Sequence, residues 1–400
     1  MDTVFIGFAE KDKIYNYEML SLELLTASLK EQGMTSHLLQ IEFELNTTLN
    51  DAYLEQFMER LDWDSVGVVG ISPIYIYAEV INYVIKYIKS RHPHIKIVMG
   101  GAMIVAHLSN QIYDVFPQAD ILSVGEGEIT FVELVKRIQA GKGLAGCAGI
   151  VYRDGSEINV EPVRDTIENL DEIPWADRCM LVANKGTVTY LQTARGCNGS
   201  CTFCSESRIF SIKGHGKRWR GRSPKNVVDE MEEIVRTHNV RVFSFVDNSF
   251  EDPIDGGEQR VRDIADEVNS RGLDVFFRTL MRAENIVKMS SETLEKLKNA
   301  GMYHVLIGIE SAYPPTLKLF GKKATVQDNI ESIQIIDKLH MDVVIGFIPY
   351  HPYSTFEEVL ANLDFFHSSK MLFKFHEVID NQLKLFQNTP LFDKVKRDGL

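Results

Sequence analysis

Cys197, Cys201 and Cys204 lie in the run Thr193-Ala-Arg-Gly-Cys-Asn-Gly-Ser-Cys-Thr-Phe-Cys204. Their spacing is Cys-x3-Cys-x2-Cys, and Phe203 directly precedes the last thiol. Three thiolates on one short segment can hold three irons of a [4Fe–4S] cluster. The fourth iron then has no protein ligand and is open to a substrate or cosubstrate, whereas a cluster built for electron transfer takes four cysteines. The competing chemistry is a zinc knuckle, which needs a fourth Cys or His. His215 is the nearest such residue, in a Gly- and Lys-rich stretch. Cys147 and Cys179 stand alone and read as small buried residues or free thiols.

Other residues with chemical potential sit at the ends of apolar runs. Asp247, Arg282, Glu310 and Ser311 all lie at or just beyond such ends. A cation and a carboxylate placed together suit a zwitterionic amino acid; for Glu310 the alternatives are a helix cap or a salt bridge. After Gly346 the chain reads Phe-Ile-Pro349-Tyr350-His351-Pro352-Tyr353, where Tyr350 or His351 could donate a proton or hydrogen, or simply pack a bulky turn. Seven basic residues and no acidic one fall between Arg208 and Lys225. On a chain of net charge −13 this excess suits an anionic substrate or an acidic reductant, or else is a solvated loop.

The elements that must position these groups alternate between strand and helix. In the first part, Val4–Ala9, His37–Ile41, Val66–Ile71, Ile95–Met99 and Ile121–Val124 read as strands. Tyr17–Gln32, Leu54–Leu61, Ala78–Ser90 and Phe131–Gln139 read as helices. Val66–Ile71 is continuously apolar, as in a strand buried on both faces. Repeated β-α units predict an α/β fold with a doubly wound parallel sheet, Rossmann-like, whose ligands bind at the carboxyl ends of the strands. Ser72, Gly100-Gly101 and Gly125-Glu126-Gly127-Glu128 start the loops on that edge, and glycine there lets a backbone approach a large ligand. Residues 144–184 read as a linker with a hairpin about Asp154-Gly155. From residue 185 the alternation resumes, with strands at Thr189–Thr193, Val242–Val246, Val275–Thr279, His304–Gly308 and Val343–Phe347, and a sixth at Leu372–Ile379. The cysteine loop follows the first of these, at the mouth where barrel chemistry sits.

The cysteine motif resembles that of the radical SAM family. Arg222-Ser-Pro, Phe245-Val-Asp247, Arg282-Ala-Glu-Asn-Ile, Gly308-Ile-Glu310-Ser311 and Asn388-Thr-Pro390-Leu follow it in an order similar to the subgroup with an N-terminal cobalamin-binding domain. The likeness runs over nearly the whole chain. It implies a cobalamin-binding domain at 1–143, a linker at 144–184 and a partial (β/α)6 radical SAM barrel at 185–400. The implied cofactors are a [4Fe–4S] cluster on Cys197, Cys201 and Cys204, S-adenosylmethionine (SAM) on its open iron, and cobalamin. By the same resemblance Phe203, Asp247, Arg282, Glu310 and Ser311 hold SAM. Ser72, Gly100, Gly101, Gly125, Glu126, Gly127 and Glu128 match the cobalamin edge.

Two departures qualify the likeness. The Asp-x-His-x-x-Gly motif that supplies a lower cobalt ligand is absent, for the chain reads Gln40-Ile-Glu-Phe-Glu-Leu-Asn after its second strand. That argues against histidine ligation and leaves a five-coordinate or water-ligated cobalt, or a domain that has lost the cofactor; His107 reads as a polar helix residue. The turn with Tyr350 and His351 replaces the small Gly-x-Pro-Gly type found in relatives. The implied activity is C-methylation of an unactivated carbon in a small metabolite, natural-product intermediate or peptide. The alternatives are a radical rearrangement, cyclisation or ring contraction, and a non-catalytic iron–sulfur sensor. A flavodoxin-type donor is the implied electron source.

Composition agrees with this class. With 44% apolar and 25% charged residues the chain reads as an ordinary globular protein. Its net charge of −13 opposes general nucleic-acid binding. No apolar run reaches membrane-spanning length. The opening Met1-Asp-Thr-Val-Phe-Ile lacks a signal peptide's basic and apolar regions, so the expected compartment is the reducing cytoplasm, where thiolate clusters survive.

Overall fold

All six residues of Val66–Ile71 are buried, as their unbroken apolar run requires. This strand, β3, lies inside a sheet that also contains β1 (Asp2–Glu10), β2 (Ser36–Phe43), β4 (Lys96–Met99), β5 (Ile121–Ser123), β6 (Ile150–Asp154) and β7 (Glu157–Val160). The order is β2-β1-β3-β4-β5-β6-β7. The structure, a computed structural model, describes residues 1–10, 18–43, 50–73, 77–106, 111–181, 187–206, 216–251, 257–372 and 378–400. His107, His215, Arg208 and Lys213 lie outside the described residues. The described chain divides into two compact units, one of residues 1–181 with Gly216 and one of residues 187–206 and 217–400.

In the first unit β1 to β5 are mutually parallel. Alternate strand residues enter two separate cores, as the two-residue period of a strand dictates. Ile6, Val69 and Ile97 pack with Leu54 and Phe57 of the helix Asp51–Met58 and with Ile81, Ile85 and Ile88 of Ala78–Arg91. Phe5, Val68 and Val98 pack with Leu22 and Leu29 of Leu20–Glu31 and with Phe131 and Leu134 of Gly127–Gln139. Each such side chain contributes roughly 1.5–3 kcal/mol on burial. The strand order turns back between β1 and β3, which opens a crevice outside their carboxyl ends. The hairpin predicted for a linker is instead the edge of this sheet. β6 pairs antiparallel with β5 (Ile121 opposite Tyr152), and β7 pairs with β6.

Glu23, in the helix Leu20–Glu31, is fully buried, with Glu18 and Arg178 beside it. Burial first, and then the charge of Glu18, pushes its carboxyl up to about 8, against the pull of Arg178. The unfolded chain releases this proton near the ordinary value of 4.5, the folded chain only near 8. Between those values the folded state binds the extra proton, so this contribution is fully present below pH 4.5 and is lost as pH rises to about 8. Chemical denaturation of Glu23→Gln across this range should show a flatter pH dependence than wild type and greater stability at pH 8. Identical pH profiles would contradict the assignment.

The second unit holds a parallel sheet of β8 (Val188–Leu191), β11 (Val242–Phe245), β12 (Phe276–Arg282), β13 (Met302–Glu310) and β14 (Asp342–Phe347), ordered β14-β13-β12-β11-β8. A small antiparallel ribbon, β9 (Ala194–Gly196) with β10 (Trp219–Gly221), stands beside it. Ser223 caps the helix Pro224–His238 by accepting from the Asn226 amide, with Pro224 in the first turn, as its sequence predicts. Thr325 and Asp328 form a capping box on Val326–Lys338. The sixth strand predicted at Leu372–Ile379 falls largely on residues 373–377, outside the described residues.

Candidate active site

The cysteine loop starts at Gly196, the end of β9, and is fastened on both sides. At its root, Asp247 just beyond β11 accepts hydrogen bonds from the Thr193 amide (2.7 Å), the Ala194 amide (2.8 Å) and the Thr193 hydroxyl. Arg260 donates to the Thr193 carbonyl (2.7 Å). On the far side the Thr202 amide donates to the Phe320 carbonyl (2.9 Å), the Thr202 hydroxyl to the Leu319 carbonyl (2.7 Å), and the Leu391 amide to the Thr202 carbonyl (3.0 Å). Within the loop the Gly199 amide points at Cys197 Sγ (3.2 Å), and Arg218 donates to the Gly199 carbonyl (2.8 Å). All three cysteines are partly buried and none forms a disulfide.

Gly196 carries the tightest steric constraint. Its φ is +85°, and a Cβ there would lie 1.8 Å from the Arg218 carbonyl oxygen across the ribbon. Gly196→Ala should therefore part β9 from β10 and cost about 2–3 kcal/mol. Thermal melting of the variant, with its iron content after reconstitution, measures this; unchanged values would show that the ribbon does not brace the loop.

Arg282 brings a guanidinium to the thiols. A Cβ built on Gly199 would stand 3.2 Å from Cys197 Sγ, 3.9 Å from Cys201 Sγ and 3.8 Å from Arg282 Nη1. Arg282 ends β12, is buried, and lies 3.8 Å from both Glu251 and Glu284. Glu251 also accepts from the Arg282 amide (3.0 Å) and from Asn285 (2.8 Å). Glu310 ends β13 beyond a register shift, at φ +69°, a left-handed backbone rare outside glycine and asparagine. Burial pushes its carboxyl up, opposed by Lys322, whose Nζ is 3.7 Å away.

Several predicted ligands have other work. Both carboxylate oxygens of Asp247 hold the root of the cysteine loop. Burial raises its carboxyl, and the bonds from Thr193 and Ala194 oppose that. Ser311 is fully buried, donates to Glu358 (3.1 Å) and accepts from the Tyr313 amide (3.1 Å). The His351 side chain is 1% exposed. Its Nδ1 accepts from the Tyr353 amide (3.2 Å), which leaves Nε2–H to donate to Glu358 (2.9 Å). Burial alone would raise the Glu358 carboxyl, but hydrogen bonds from His351, Thr316 and Ser311 hold it below its ordinary range. This buried pair locks the turn after β14. Tyr350 has a 44% exposed side chain, and its carbonyl accepts from the Leu383 amide (3.0 Å). Phe203 meets Phe320 edge to face at 5.0 Å.

In the first unit, Ser72, Gly100, Gly101 and Gly125 directly follow β3, β4 and β5 on the carboxyl edge. Gly101 has φ +94°, and a Cβ there would be 2.7 Å from Ser72 Oγ. Gly125 has φ +92° with open space where a Cβ would stand. The rest of that loop faces inward. Glu126 accepts from the Ile167 amide (2.7 Å), Gly127 opens the helix against Leu25, and Glu128 is buried in its first turn.

Two family models match the chain: the Radical SAM superfamily over residues 191–366 and the B12 binding domain over residues 15–135. The chain thus carries a B12 binding domain followed by a radical SAM domain. It is 29% identical over 351 residues to an uncharacterized methyltransferase of Pyrococcus horikoshii, covering 86% of this chain and 72% of that one. It is 28% identical to the anaerobic magnesium-protoporphyrin IX monomethyl ester cyclase of Cereibacter sphaeroides, covering 81% of this chain and 52% of the cyclase. The chain thus spans little more than half the length of several relatives. Among solved structures, the cobalamin-dependent SAM radical enzyme OxsB, with aqua-cobalamin and SAM bound, superposes with a TM-score of 0.78 at 20% identity, covering 99% of this chain and 60% of OxsB. The radical SAM methyltransferase TsrM from Kitasatospora setae superposes at 0.77 with 17% identity, covering 99% of this chain and 76% of TsrM. These likenesses establish the radical SAM fold and the B12-binding fold.

The residues present fit the family's cofactors, a [4Fe–4S] cluster, SAM and cobalamin. The three thiols stand on one braced loop beside a buried cation, and Gly199 leaves free the space a side chain would fill between them. Arg282 is buried and Glu310 part-buried, each at the end of a strand. Gly100, Gly101 and Gly125 leave three positions on the carboxyl edge of the B12-binding sheet without side chains. Sequence reasoning missed Arg260 and Glu251, whose partners are distant in the chain, and Lys322, which pairs back to Gly308 and Glu310.

Proposed function

We propose that this protein is a cobalamin-dependent radical SAM methyltransferase acting on an unactivated carbon of a small metabolite or natural-product intermediate. The observation that carries this reading is the braced three-thiol loop with Arg282 against it, in a chain that also holds a B12-binding sheet. When bound, the cluster and SAM supply a reductively generated 5′-deoxyadenosyl radical, and cobalamin supplies a transferable methyl group. Cys197, Cys201 and Cys204 would hold the irons. Arg282 would meet the SAM carboxylate and Glu310 its ammonium, with Phe203 beside the adenine. Asp247, Arg260 and the β9–β10 ribbon orient the loop. Ser72, Gly100, Gly101 and Gly125 would face cobalamin, without a histidine beneath the cobalt. The His351–Glu358 lock stiffens the turn after β14, leaving Tyr350 as the exposed side chain there.

The reductant fitting this chemistry is a low-potential flavoprotein such as flavodoxin. A reducing cytoplasm suits the free thiols, and no described helix is long and apolar enough to cross a membrane. A second reading, rearrangement or cyclisation without methyl delivery, is favoured by relatives named cyclase and by the 25% identical 4'-phospho-dehydrooxetanocin synthase of Priestia megaterium. Methyl-labelled SAM separates the two. Label in the product is the result expected; an unlabelled, rearranged product would select the second reading.

A further inference from the structure

Lys322 is a buried cation beside the cysteine loop, and neither the sequence motifs nor the comparisons give it a role. Its side chain is 6% exposed. Nζ donates to the Gly308 carbonyl at 2.8 Å and stands 3.7 Å from Glu310 Oε1. The backbone just before it is fastened to the loop. The carbonyls of Leu319, Phe320 and Gly321 accept from the Thr202 hydroxyl (2.7 Å), the Thr202 amide (2.9 Å) and the Ser200 hydroxyl (3.2 Å). Gly321, at φ +67°, lies so close that a Cβ would be 2.7 Å from the Ser200 carbonyl oxygen. The turn that carries Lys322 is thus pinned to the residues on either side of Cys201.

Lysine taken out of water tends to lose its proton. Here burial pulls Lys322 down, but the charges of Glu310, Cys201 and Glu284 outweigh it and keep the ammonium charged. The backbone bonds to Ser200 and Thr202 hold the turn that carries this ammonium against the Cys201 segment. A fixed positive charge in a poorly screened site stabilises any electron added nearby.

We propose that Lys322 sets the reduction potential of the cluster carried by Cys197, Cys201 and Cys204, its buried charge favouring the reduced cluster. The inference rests on the cluster assignment above. The step is a single electron passing from an external flavoprotein donor to the oxidised cluster. The cluster gains one negative charge, and Lys322 offsets it without gaining or losing a proton. Charge, rather than contact with SAM, is what Lys322 contributes. The effect is therefore present before SAM binds.

The test is an EPR-monitored redox titration of the reconstituted full chain without SAM, comparing wild type with Lys322→Gln, Lys322→Arg, Glu310→Gln and Lys323→Gln. Lys323 is the exposed neighbour and serves as a surface control. Lys322→Gln should titrate at a more negative potential than wild type. Lys322→Arg and Lys323→Gln should stay near wild type, and Glu310→Gln should move to a more positive potential. A Lys322→Gln potential equal to wild type overturns the proposal. Should that variant take up no iron, Lys322→Met, an uncharged side chain of similar length, decides, and a potential equal to wild type overturns the proposal. A wild-type chain that assembles no cluster under the same conditions contradicts the proposed function itself, an outcome read before any potential is measured.

Discussion

Cys201→Ala is expected to abolish both cluster assembly and SAM cleavage. The variant should take up no stoichiometric iron and lack iron–sulfur visible absorption after anaerobic reconstitution. Its yield of 5′-deoxyadenosine should fall to the level of a protein-free control. The loss is complete rather than graded because the loop offers three thiolates, and a fourth iron already lacks a protein ligand. Fold should survive: the thiol is half-buried in a loop and is no member of the apolar cluster of Phe320, Leu391 and Val395 in the same unit. Circular dichroism and melting close to wild type, alongside zero activity, are the combined result expected. A Cys201→Ala variant that still cleaved SAM would refute the ligand assignment. Cys179→Ala, at an exposed cysteine, should leave iron content unchanged.

Asp247→Ala should disable the same loop without touching a thiol. Its carboxylate is the acceptor for two amides and one hydroxyl at Thr193 and Ala194, all buried. Each donor stranded in a dry site costs roughly 1–3 kcal/mol, so the whole change should cost about 3–5 kcal/mol, at the severe end for one substitution. Asp247→Asn keeps a carbonyl acceptor but places an amide against donors, so it should fall between the two. Denaturant unfolding with iron content after reconstitution measures both effects. Normal stability combined with a specific loss of SAM affinity would instead return Asp247 to the SAM-binding role its place in the sequence suggested.

That contrast shows where sequence reasoning reaches. The alternation of strand and helix is legible because parallel strands are apolar runs and helices close at glycine, as Val66–Ile71 and Gly33 show. The cysteine loop is legible because its spacing is local. Asp247 is not, since a carboxylate at a strand end looks the same whether it faces a ligand or a backbone. Here the partner, Thr193, is 54 residues away. The same holds for His351, whose partner Glu358 sits on the next helix. The hairpin at Gly155 was visible, but its docking onto β5 is a non-local pairing that turn chemistry does not encode. Glu310's positive φ and the pinned turn before Lys322 depend on close approaches between β13, the cysteine loop and the helix Pro314–Leu319, which only three-dimensional packing reveals.

The central claim is that the three-thiol loop and the B12-binding sheet of this chain act together in radical methyl transfer. The most direct measurement is anaerobic incubation of the full chain, reconstituted with iron, sulfide and cobalamin, with SAM and a low-potential reductant. Corrinoid absorption retained after gel filtration, with 5′-deoxyadenosine formed over time and absent in Cys201→Ala, is the result predicted. A reconstituted chain that retains neither corrinoid nor cluster, or forms no 5′-deoxyadenosine, would contradict the account.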